Sequence, residues 1–318
     1  MNEEDILTTA TAARKRKPGI DLKVWFLETR PHYLLLPVVL ILVGTAAAWY
    51  YTGVFHAGYA LLALAGLILC HASVNILNDY VDFKTGVDLK VIRTPFNGGS
   101  GILPAGLLTP GQVLKYGLVT LALAVPIGIF FSVVQGWQLI PLLLFAAFCV
   151  LLYTPLILKT HFPEWSPGVG LGILPVLGAY FIQTGHYSIS AMIASIPSGF
   201  LVTNLLLLNE FPDAEADKIA SKKTLPITIG KRNAAIVYSI INILVYLWII
   251  GAVIAGVMPV LTLLALLTLP FAFKAIRGSF AYEDRGKLMA GQANNVLNVL
   301  ITQALLGIGF ILSGIFSL

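Results

Sequence analysis

The sequence predicts an all-α membrane protein in which about nine transmembrane helices surround a central cavity. Three observations support this fold class: a very apolar composition, long apolar stretches, and connections that alternate between uncharged and charged. Of the 318 residues, 58% are hydrophobic and only 11% are charged, whereas a soluble domain carries about 25% charged residues. So little polar surface cannot cover a soluble core of this size, and lipid is therefore the expected solvent.

Nine apolar stretches approach the roughly 20 residues that a helix needs to cross a bilayer. Because lipid offers the backbone no hydrogen-bond partners, stretches of this length are expected to be helices. The predicted spans cover residues 33–51, 55–78, 112–134, 137–157, 167–184, 188–210, 233–255, 257–275 and 293–316. Residues 1–30 are polar and predict an N-terminal tail and interfacial segment, followed by a single transmembrane domain, 31–318.

The connections between these spans alternate in charge. Those after spans one, three, five and seven are short and uncharged, whereas those after spans two, four, six and eight are polar. All Lys, Arg, Asp and Glu residues then fall on one face of the membrane, which the positive-inside rule identifies as cytoplasmic. This topology predicts a cytoplasmic N-terminus, cytoplasmic acidic loops and a C-terminus on the far side. The basic residues form no continuous stripe, so the net charge of +5 does not indicate nucleic-acid binding.

Two charged connections are longer than this topology requires, and each begins at the cytoplasmic end of a span. The first, Asn78 to Thr109, opens with N-D-Y-V-D-F-K-T-G-V-D, and the second, Glu210 to Arg232, opens with E-F-P-D-A-E-A-D. Residues three or four apart share a helix face. If the spans continue as helices, each presents amide and carboxylate oxygens along one stripe, formed by His71, Asn75, Asn78 and Asp82 in span two and by Asn209, Asp213 and Asp217 in span six.

Clustered carboxylates at a membrane boundary repel one another and need a neutralising partner. Mg²⁺ prefers hard oxygen ligands from a few carboxylates, with phosphate completing its shell. Two such sites can clamp a diphosphate, and the metal ions would stabilise the charge of a departing pyrophosphate. Arg93 follows the first motif, and Lys222 and Lys223 follow the second; guanidinium and ammonium groups are natural phosphate ligands. The alternatives are a solvated loop for the carboxylates, and topology and lipid contact for the basic residues.

Three further features have more than one interpretation. The run from Asn97 to Gly101 either brings backbone amides to an anion or is a plain turn. Pro212 has no amide donor and predicts a kink or break near the end of span six. His71 is expected to be packed against a neighbour or hydrogen-bonded within the bundle.

The paired acidic motifs resemble those of the UbiA superfamily of intramembrane aromatic prenyltransferases. The first motif of that family, N-D-x-x-D-x-x-x-D, is matched by Asn78, Asp79 and Asp82, but Gly86 occupies the last acidic position and Asp88 lies two residues later. This form is similar to the branch that prenylates 1,4-dihydroxy-2-naphthoate in menaquinone synthesis.

The second motif strengthens the resemblance. The family pattern D-x-x-x-D is matched by Asp213 and Asp217. The following K-K-T-L-P-I-T-I-G, from Lys222 to Gly230, resembles the K-x-T-L-x-V-R-x-G tail of the naphthoate branch, with Thr228 in place of the usual arginine.

The resemblance implies an enzyme that uses Mg²⁺ to transfer an isoprenyl group from a prenyl diphosphate to an aromatic acceptor and releases pyrophosphate. The two loops after spans two and six would form a cytoplasmic cap, and an apolar cavity between the helices would hold the isoprenyl tail. Carried over by position, the metal ligands would be Asn78, Asp82, Asp88, Asp213 and Asp217. The diphosphate would contact Arg93, Lys222, Lys159 and Asn209, and catalysis would involve Asp82, Asp213 and Tyr153.

The sequence leaves the aromatic acceptor open. Naphthoate is the first choice, and 4-hydroxybenzoate, homogentisate and non-quinone acceptors remain alternatives; chain length and oligomeric state are not indicated. A CDP-alcohol phosphotransferase is disfavoured because Phe83 follows Asp82, where that family has glycine, and because the second acidic cluster lies far downstream. A secondary transporter places ionisable groups near the bilayer midplane, whereas these spans carry no clear midspan charge. A structural scaffold leaves the acidic loops unexplained.

Overall fold

The computed structural model describes residues 21–89, 91 and 93–316. The predicted tail therefore lies largely outside the described residues. Within the described ranges the regular secondary structure is helical, without β-strands. Eight helices of this part of the chain are long and apolar enough to cross a membrane, and a further apolar helix, Leu139–Leu152, is shorter at 14 residues. The prediction of an all-α membrane protein with about nine apolar helices is confirmed, and the chain is an integral, multi-pass membrane protein.

The helices follow one another through short connections. A short helix, α1, precedes the spans, and a four-residue helix, α8, lies between the sixth and seventh spans. In chain order the helices are α1 (Leu22–Glu28), α2 (Leu35–Thr52), α3 (Ala57–Thr85), α4 (Pro110–Val134), α5 (Leu139–Leu152), α6 (Trp165–Thr184), α7 (Ile189–Asp217), α8 (Leu225–Thr228), α9 (Lys231–Ile254), α10 (Val260–Phe280) and α11 (Arg285–Phe316).

Local sequence explains where several helices begin and end. Thr109 and Gln112 form a capping box at the start of α4, because the Thr109 hydroxyl accepts the Gln112 amide and the Gln112 side chain accepts the Thr109 amide. Helices α2 and α6 end at Gly53 and Gly185, whose φ angles of 73° and 74° are costly for residues with a Cβ atom.

The helices differ from the predicted spans mainly at the ends that join the charged connections. Helices α3 and α7 continue past the predicted ends at 78 and 210, and α11 begins at Arg285 rather than at 293. Helix α5 is shorter than the predicted span 137–157 and ends at Leu152. The extensions of α3, α7 and α11 arise because polar helix ends have no apolar signature in the sequence.

Helix α7 runs through Pro212 without a break. Of the predicted kink or break, the break is therefore absent, and tertiary structure supplies a reason. Proline cannot donate the hydrogen bond that the Leu208 carbonyl would receive in a regular helix. Instead, the Gln292 side chain of α11 donates to the Leu208 oxygen over 3.4 Å. A neighbouring helix thus satisfies the carbonyl that proline leaves free.

The helices pack through apolar side chains and close backbone approaches. The largest buried cluster joins α2, α6, α7, α9, α10 and α11 around side chains such as Tyr180, Leu201 and Phe310. Gly278 of α10 and Gly291 of α11 meet so closely that a Cβ atom on Gly278 would lie 2.5 Å from the Gly291 Cα atom. Small residues at such crossings are typical of membrane helices. Exposed apolar side chains such as Val133 and Ile254 point outward, which suits a lipid-facing surface.

Candidate active site

The ends of α3 and α7 meet at one polar pocket. Every predicted metal ligand lines it, together with two of the predicted diphosphate ligands and Tyr153. The predicted site residues in the pocket are Asn78, Asp82, Asp88, Tyr153, Asn209, Asp213, Asp217 and Lys222. The two acidic motifs, which are far apart in sequence, therefore face each other in space.

The continued helix α3 arranges the first motif. Asn78 and Asp82 lie one turn apart, and the Asn78 amide donates to Asp82 Oδ2 over 3.2 Å and to Thr154 Oγ1 over 3.1 Å. The helix ends at Gly86, whose φ of 78° turns the chain sharply. Asp88 then lies in a 3₁₀ turn, Val87–Leu89, and lines the same pocket. The turn at Gly86 thus explains how an acidic residue two positions later can reach the site.

Lys222 joins the two motifs. Its Nζ lies 2.9 Å from Asp82 Oδ1 and 2.9 Å from Asp217 Oδ1, and all three side chains are buried. Burial alone would lower the pKa of the Lys222 ammonium, but the carboxylates of Asp82 and Asp217 outweigh it, so the pKa is raised above its ordinary value. Lys222 is therefore a permanent positive charge between two carboxylates that would otherwise repel each other.

The glycine run, from Asn97 to Gly101, packs its polar groups against both motifs. The Asn97 side-chain amide donates to Asp213 Oδ1 over 2.5 Å, and the backbone amide of Ser100 donates to Asp79 Oδ2 over 2.8 Å. Gly99, with a φ of 69°, comes so close that a Cβ atom there would lie 3.1 Å from Asp79 Oδ1. One backbone amide of the run thus binds a carboxylate of the protein itself.

Arg30 and Glu28 are site residues that sequence reasoning missed. Arg30 lines the pocket, forms an ion pair with Asp79 and donates to Asn78 Oδ1 over 3.3 Å. Glu28 is fully buried and accepts a hydrogen bond from the Ser100 hydroxyl over 2.7 Å. The sequence signal for these two residues was weak. Arg30 and Glu28 lie one and three positions before Pro31, near the start of the first apolar stretch.

Arg93 and Lys159 are not among the residues that line the pocket. The Arg93 guanidinium donates to the carbonyl oxygens of Gly98, over 2.9 Å, and Gly99, over 3.0 Å, and also to that of Ser100. Lys159 is exposed in a 3₁₀ turn, Ile157–Lys159. In this arrangement Arg93 shapes the glycine run, and a diphosphate role for either residue stays a prediction.

Burial disfavours the charged forms of two carboxyl groups at the edge of the site. It raises the pKa of Asp88 to about 6; the neighbouring Asp82 adds to the shift, while Arg30, Lys222 and Arg93 reduce it. Burial also raises the pKa of Glu28 to about 7, against the hydrogen bond from Ser100 and the charge of Arg30. The nearby positive charges therefore do not fully offset the effect of burial on the pKa values of these two carboxyl groups.

An apolar cavity of about 240 Å³ adjoins the polar pocket. It lies mainly among α3, α4, α5 and α6, and Asn78 and Tyr153 line both spaces. Its walls are largely aliphatic and aromatic, for example Leu67, Ile127 and Phe131. His71 also lines the cavity and is buried, as expected, but its Nδ1 has no hydrogen-bond partner among the described residues. The arrangement offers a polar end for a charged group and an apolar end for a hydrocarbon chain.

The donor set fits Mg²⁺ that is bound together with a phosphate ligand. Over the described ranges, no three His, Cys, Asp or Glu side chains form a ready-made metal cage. Mg²⁺ rarely needs one, because it usually binds through one or two carboxylates, with waters and substrate phosphates as further ligands. Asp82, Asp88, Asp213 and Asp217 supply hard oxygen donors around one pocket, which is the chemistry that such an ion requires.

Comparisons with known proteins agree with this geometry. The model of the UbiA prenyltransferase family matches residues 38–294. The chain is 30% identical to the 1,4-dihydroxy-2-naphthoate octaprenyltransferase of Bacillus subtilis (strain 168), over 98% of this chain and 99% of that protein.

Two solved structures share the fold. A UbiA homologue from Aeropyrum pernix K1 in its apo form superposes with a TM-score of 0.65 at 14% identity, covering 89% of this chain and 98% of that one. A UbiA homologue from Archaeoglobus fulgidus bound to DMAPP and Mg²⁺ superposes with a TM-score of 0.54 at 14% identity, with the same coverage of 89% and 98%.

Proposed function

The chain belongs to the UbiA prenyltransferase family, and from this premise we propose that it transfers an isoprenyl group from a prenyl diphosphate to 1,4-dihydroxy-2-naphthoate, as a step of menaquinone synthesis. One observation carries the proposal: a polar pocket lined by both acidic motifs joins an apolar cavity at Asn78 and Tyr153. A prenyl diphosphate has a matching form, with a charged head and an apolar tail. The binding of DMAPP and Mg²⁺ by the Archaeoglobus homologue supports this assignment.

Within this proposal, Asn78, Asp82 and Asp88 hold one Mg²⁺, and Asp213 and Asp217 hold another. Bound Mg²⁺ would neutralise the diphosphate and stabilise pyrophosphate as a leaving group. Lys222 and Asn209 bind the diphosphate from the side of the second motif, and Arg93 and Lys159 reach it from the loops once substrate is bound.

Tyr153 lies at the junction of the polar pocket and the apolar cavity. In this proposal, the allylic carbon of the prenyl diphosphate lies next to it. The apolar walls below it would exclude water from the allylic cation until the acceptor ring captures the cation and then loses a ring proton or its carboxyl group as CO₂. In this proposal, the phenol of Tyr153 borders the allylic end of the prenyl group and does not compete with the acceptor ring as a nucleophile.

The acceptor rests on the Bacillus relative, which carries the name of a naphthoate prenyltransferase, and on the form of the first motif. Thr228 stands where the naphthoate branch usually has arginine. The acceptor panel for a test therefore also includes 4-hydroxybenzoate, homogentisate and a non-quinone acceptor.

We also propose that residues 31–318 form a single prenyltransferase domain whose acidic loops cap the site on the cytoplasmic side. The segregation of basic residues supports this orientation. Labelling of single-cysteine variants in sealed vesicles tests it. A cysteine in the loop after α3 should react from the cytoplasmic side, and one near Phe316 should react from the opposite side.

The decisive experiment is incubation of the purified protein with Mg²⁺, prenyl diphosphates of several lengths and the acceptor panel, followed by mass spectrometry. We expect a prenylated product of 1,4-dihydroxy-2-naphthoate, formed with loss of a ring proton or of the carboxyl group as CO₂, and stoichiometric pyrophosphate. Asp82→Ala and Asp213→Ala should abolish transfer without unfolding the protein, whereas Asp284→Ala, at an exposed ion pair with Lys287, should retain it.

Two outcomes would contradict the proposal. Full activity in both pocket variants would refute the metal assignment. Substrate uptake into vesicles without pyrophosphate release would indicate a transporter instead.

A further inference from the structure

A buried carboxylate outside both motifs holds the segment that carries Lys222. Glu164 directly precedes α6 and is fully buried. Its Oε1 accepts the backbone amide of Leu225 over 2.6 Å. On the same side, the amide of Lys223 donates to the Leu158 carbonyl over 2.7 Å. The connection between α5 and α6 therefore holds the backbone on the C-terminal side of Lys222.

The hydrogen bond to Leu225 replaces a helix cap. Leu225 begins α8, and the preceding Thr224 has the extended backbone of an N-cap residue but makes no side-chain cap hydrogen bond. The Glu164 carboxylate takes that place from another part of the chain. This short hydrogen bond, 2.6 Å between Leu225 N and Glu164 Oε1, fixes where α8 starts.

The position of α8 sets the position of Lys222. Leu225 follows Lys222 by three positions, and the backbone amide of Lys222 also donates to the Asp217 carbonyl over 3.2 Å. The segment is thus fixed at both ends, and the Lys222 side chain spans to Asp82 and Asp217 with Nζ–oxygen distances of 2.9 Å each.

We propose that Glu164 is a positioning residue of the diphosphate site, which acts through the backbone of Leu225 to hold Lys222 between the two acidic motifs. The inference rests on the proposed function, because it assigns Lys222 to the diphosphate. Glu164 itself does not line the polar pocket, and its described hydrogen bonds with distant parts of the chain are to Leu225 and Thr203 rather than to the proposed metal ligands. Its effect on substrate is therefore indirect and requires Lys222.

Glu210 determines which substitution is the informative one. Its carboxyl group lies beside that of Glu164, and neither of its oxygens receives a hydrogen bond from a donor group in the described ranges. Glutamine at position 164 keeps an oxygen for the Leu225 amide and offers an NH₂ group to Glu210. Alanine removes both contacts. Glu164→Gln should therefore preserve the position of Lys222, and Glu164→Ala should lose it.

The test measures the Kd of a non-hydrolysable prenyl thiodiphosphate with Mg²⁺, and the KM values for prenyl diphosphate and for the acceptor. We expect Glu164→Ala to raise the Kd and the prenyl diphosphate KM about tenfold to hundredfold. This corresponds to the loss of one charge-assisted hydrogen bond between Lys222 and the diphosphate. The acceptor KM should change little. Glu164→Gln should stay within about threefold of the unmodified protein, as should the exposed control Glu283→Ala.

A double-mutant cycle shows whether Glu164 acts through Lys222. If it does, Glu164→Ala adds nothing to the loss caused by Lys222→Ala, and the double variant binds the thiodiphosphate as weakly as Lys222→Ala alone. Losses that multiply would overturn the inference, as would an unchanged Kd in Glu164→Ala. If Glu164→Ala does not fold, Glu164→Asp serves the same purpose, because it keeps a carboxyl group but withdraws that group from Leu225.

The outcomes separate this inference from the proposed function. If the unmodified protein neither binds the thiodiphosphate nor forms a prenylated product, the proposed function fails. If the unmodified protein does both and Glu164→Ala matches it, only the role of Glu164 fails.

Discussion

The two acidic motifs face the same pocket but are neutralised in different ways. In the first motif, Asp79 has its own cation, Arg30, and also accepts the Ser100 amide. In the second, Asp213 is held by the neutral Asn97 amide. Asp82 of the first motif and Asp217 of the second share one cation, Lys222. The second motif therefore has less positive charge per carboxylate. A divalent cation should bind more favourably there than at the first motif.

This difference suggests separate tasks for the two motifs. The first is fixed by ionic and backbone contacts whether or not substrate is present. The second, which carries the additional buried carboxyl of Glu210, is arranged to receive positive charge. Four predictions test the comparison, from the largest expected effect to the smallest.

Removal of the shared cation should have the largest effect on stability. Lys222→Met leaves Asp82 and Asp217 buried without their common partner, and breaking a buried ion pair from one side costs about 3–5 kcal/mol. The Tm in detergent should fall clearly. Added Mg²⁺ should raise the Tm of Lys222→Met by more than it raises the Tm of the unmodified protein. Lys218→Met, in an exposed ion pair, is the matched control. A Tm equal to that of the control would contradict the bridging role of Lys222.

Removal of the first motif's own cation should cost less. Arg30→Met deprives Asp79 of its ion pair, but the Ser100 amide still donates to the carboxylate. The expected loss is about 1.5–3 kcal/mol, the range for a hydrogen bond to a charged group. The Tm of Arg30→Met should lie between those of Lys222→Met and the exposed control Arg232→Met. If Arg30→Met is the less stable of the two pocket variants, the comparison between the motifs is reversed.

Glu28 should make the stability of the protein depend on pH. Its pKa of about 7 in the folded protein exceeds the ordinary 4.5, so between these values the folded state binds more protons than the unfolded state. Stability should therefore fall as pH rises through this window, by at most about 1.4 kcal/mol per pH unit from this group.

Glu28→Gln tests this dependence, because glutamine cannot ionise. Its Tm should change less between pH 4.5 and 7 than that of the unmodified protein, and Asp88, whose pKa is about 6, contributes to the slope that remains. Equal slopes for the two proteins would show that Glu28 is not buried as a carboxyl group against the glycine run.

The smallest effect is expected at Glu215, which lies within the second motif but points outward. It pairs with Lys218 over 2.9 Å at an exposed position, and such pairs contribute little. Glu215→Gln should leave both the Tm and kcat/KM for prenyl diphosphate unchanged. A large loss of activity would mean that the second motif uses its outer face as well as its pocket face.

The sequence was sufficient for the class of fold and for the centre of the site. Apolar length and charge alternation are local properties, and they predicted the nine apolar helices. The spacing of Asn78 and Asp82, and of Asp213 and Asp217, likewise follows from the helical period. The continued helices that carry these pairs past the apolar stretches agree with that reasoning.

Details that depend on neighbouring helices could not be predicted. Pro212 argues for a break when α7 is considered alone, but Gln292 of α11 satisfies the carbonyl that proline leaves free. Arg93 has the chemistry of a phosphate ligand, yet its guanidinium lies against three carbonyl oxygens of the glycine run. In both cases the partner belongs to a turn or helix whose position the local sequence does not specify.

The sequence by itself determined a multi-pass helical membrane protein with two acidic motifs, because hydrophobicity, charge and helical spacing act over a few residues. Tertiary structure alone decided which groups complete the site. Arg30 meets Asp79 across 49 positions of the chain, and Glu164 meets Leu225 across 61. Contacts of this kind form only when helices pack in one particular arrangement, and the free energy that selects this arrangement is spread over the whole bundle.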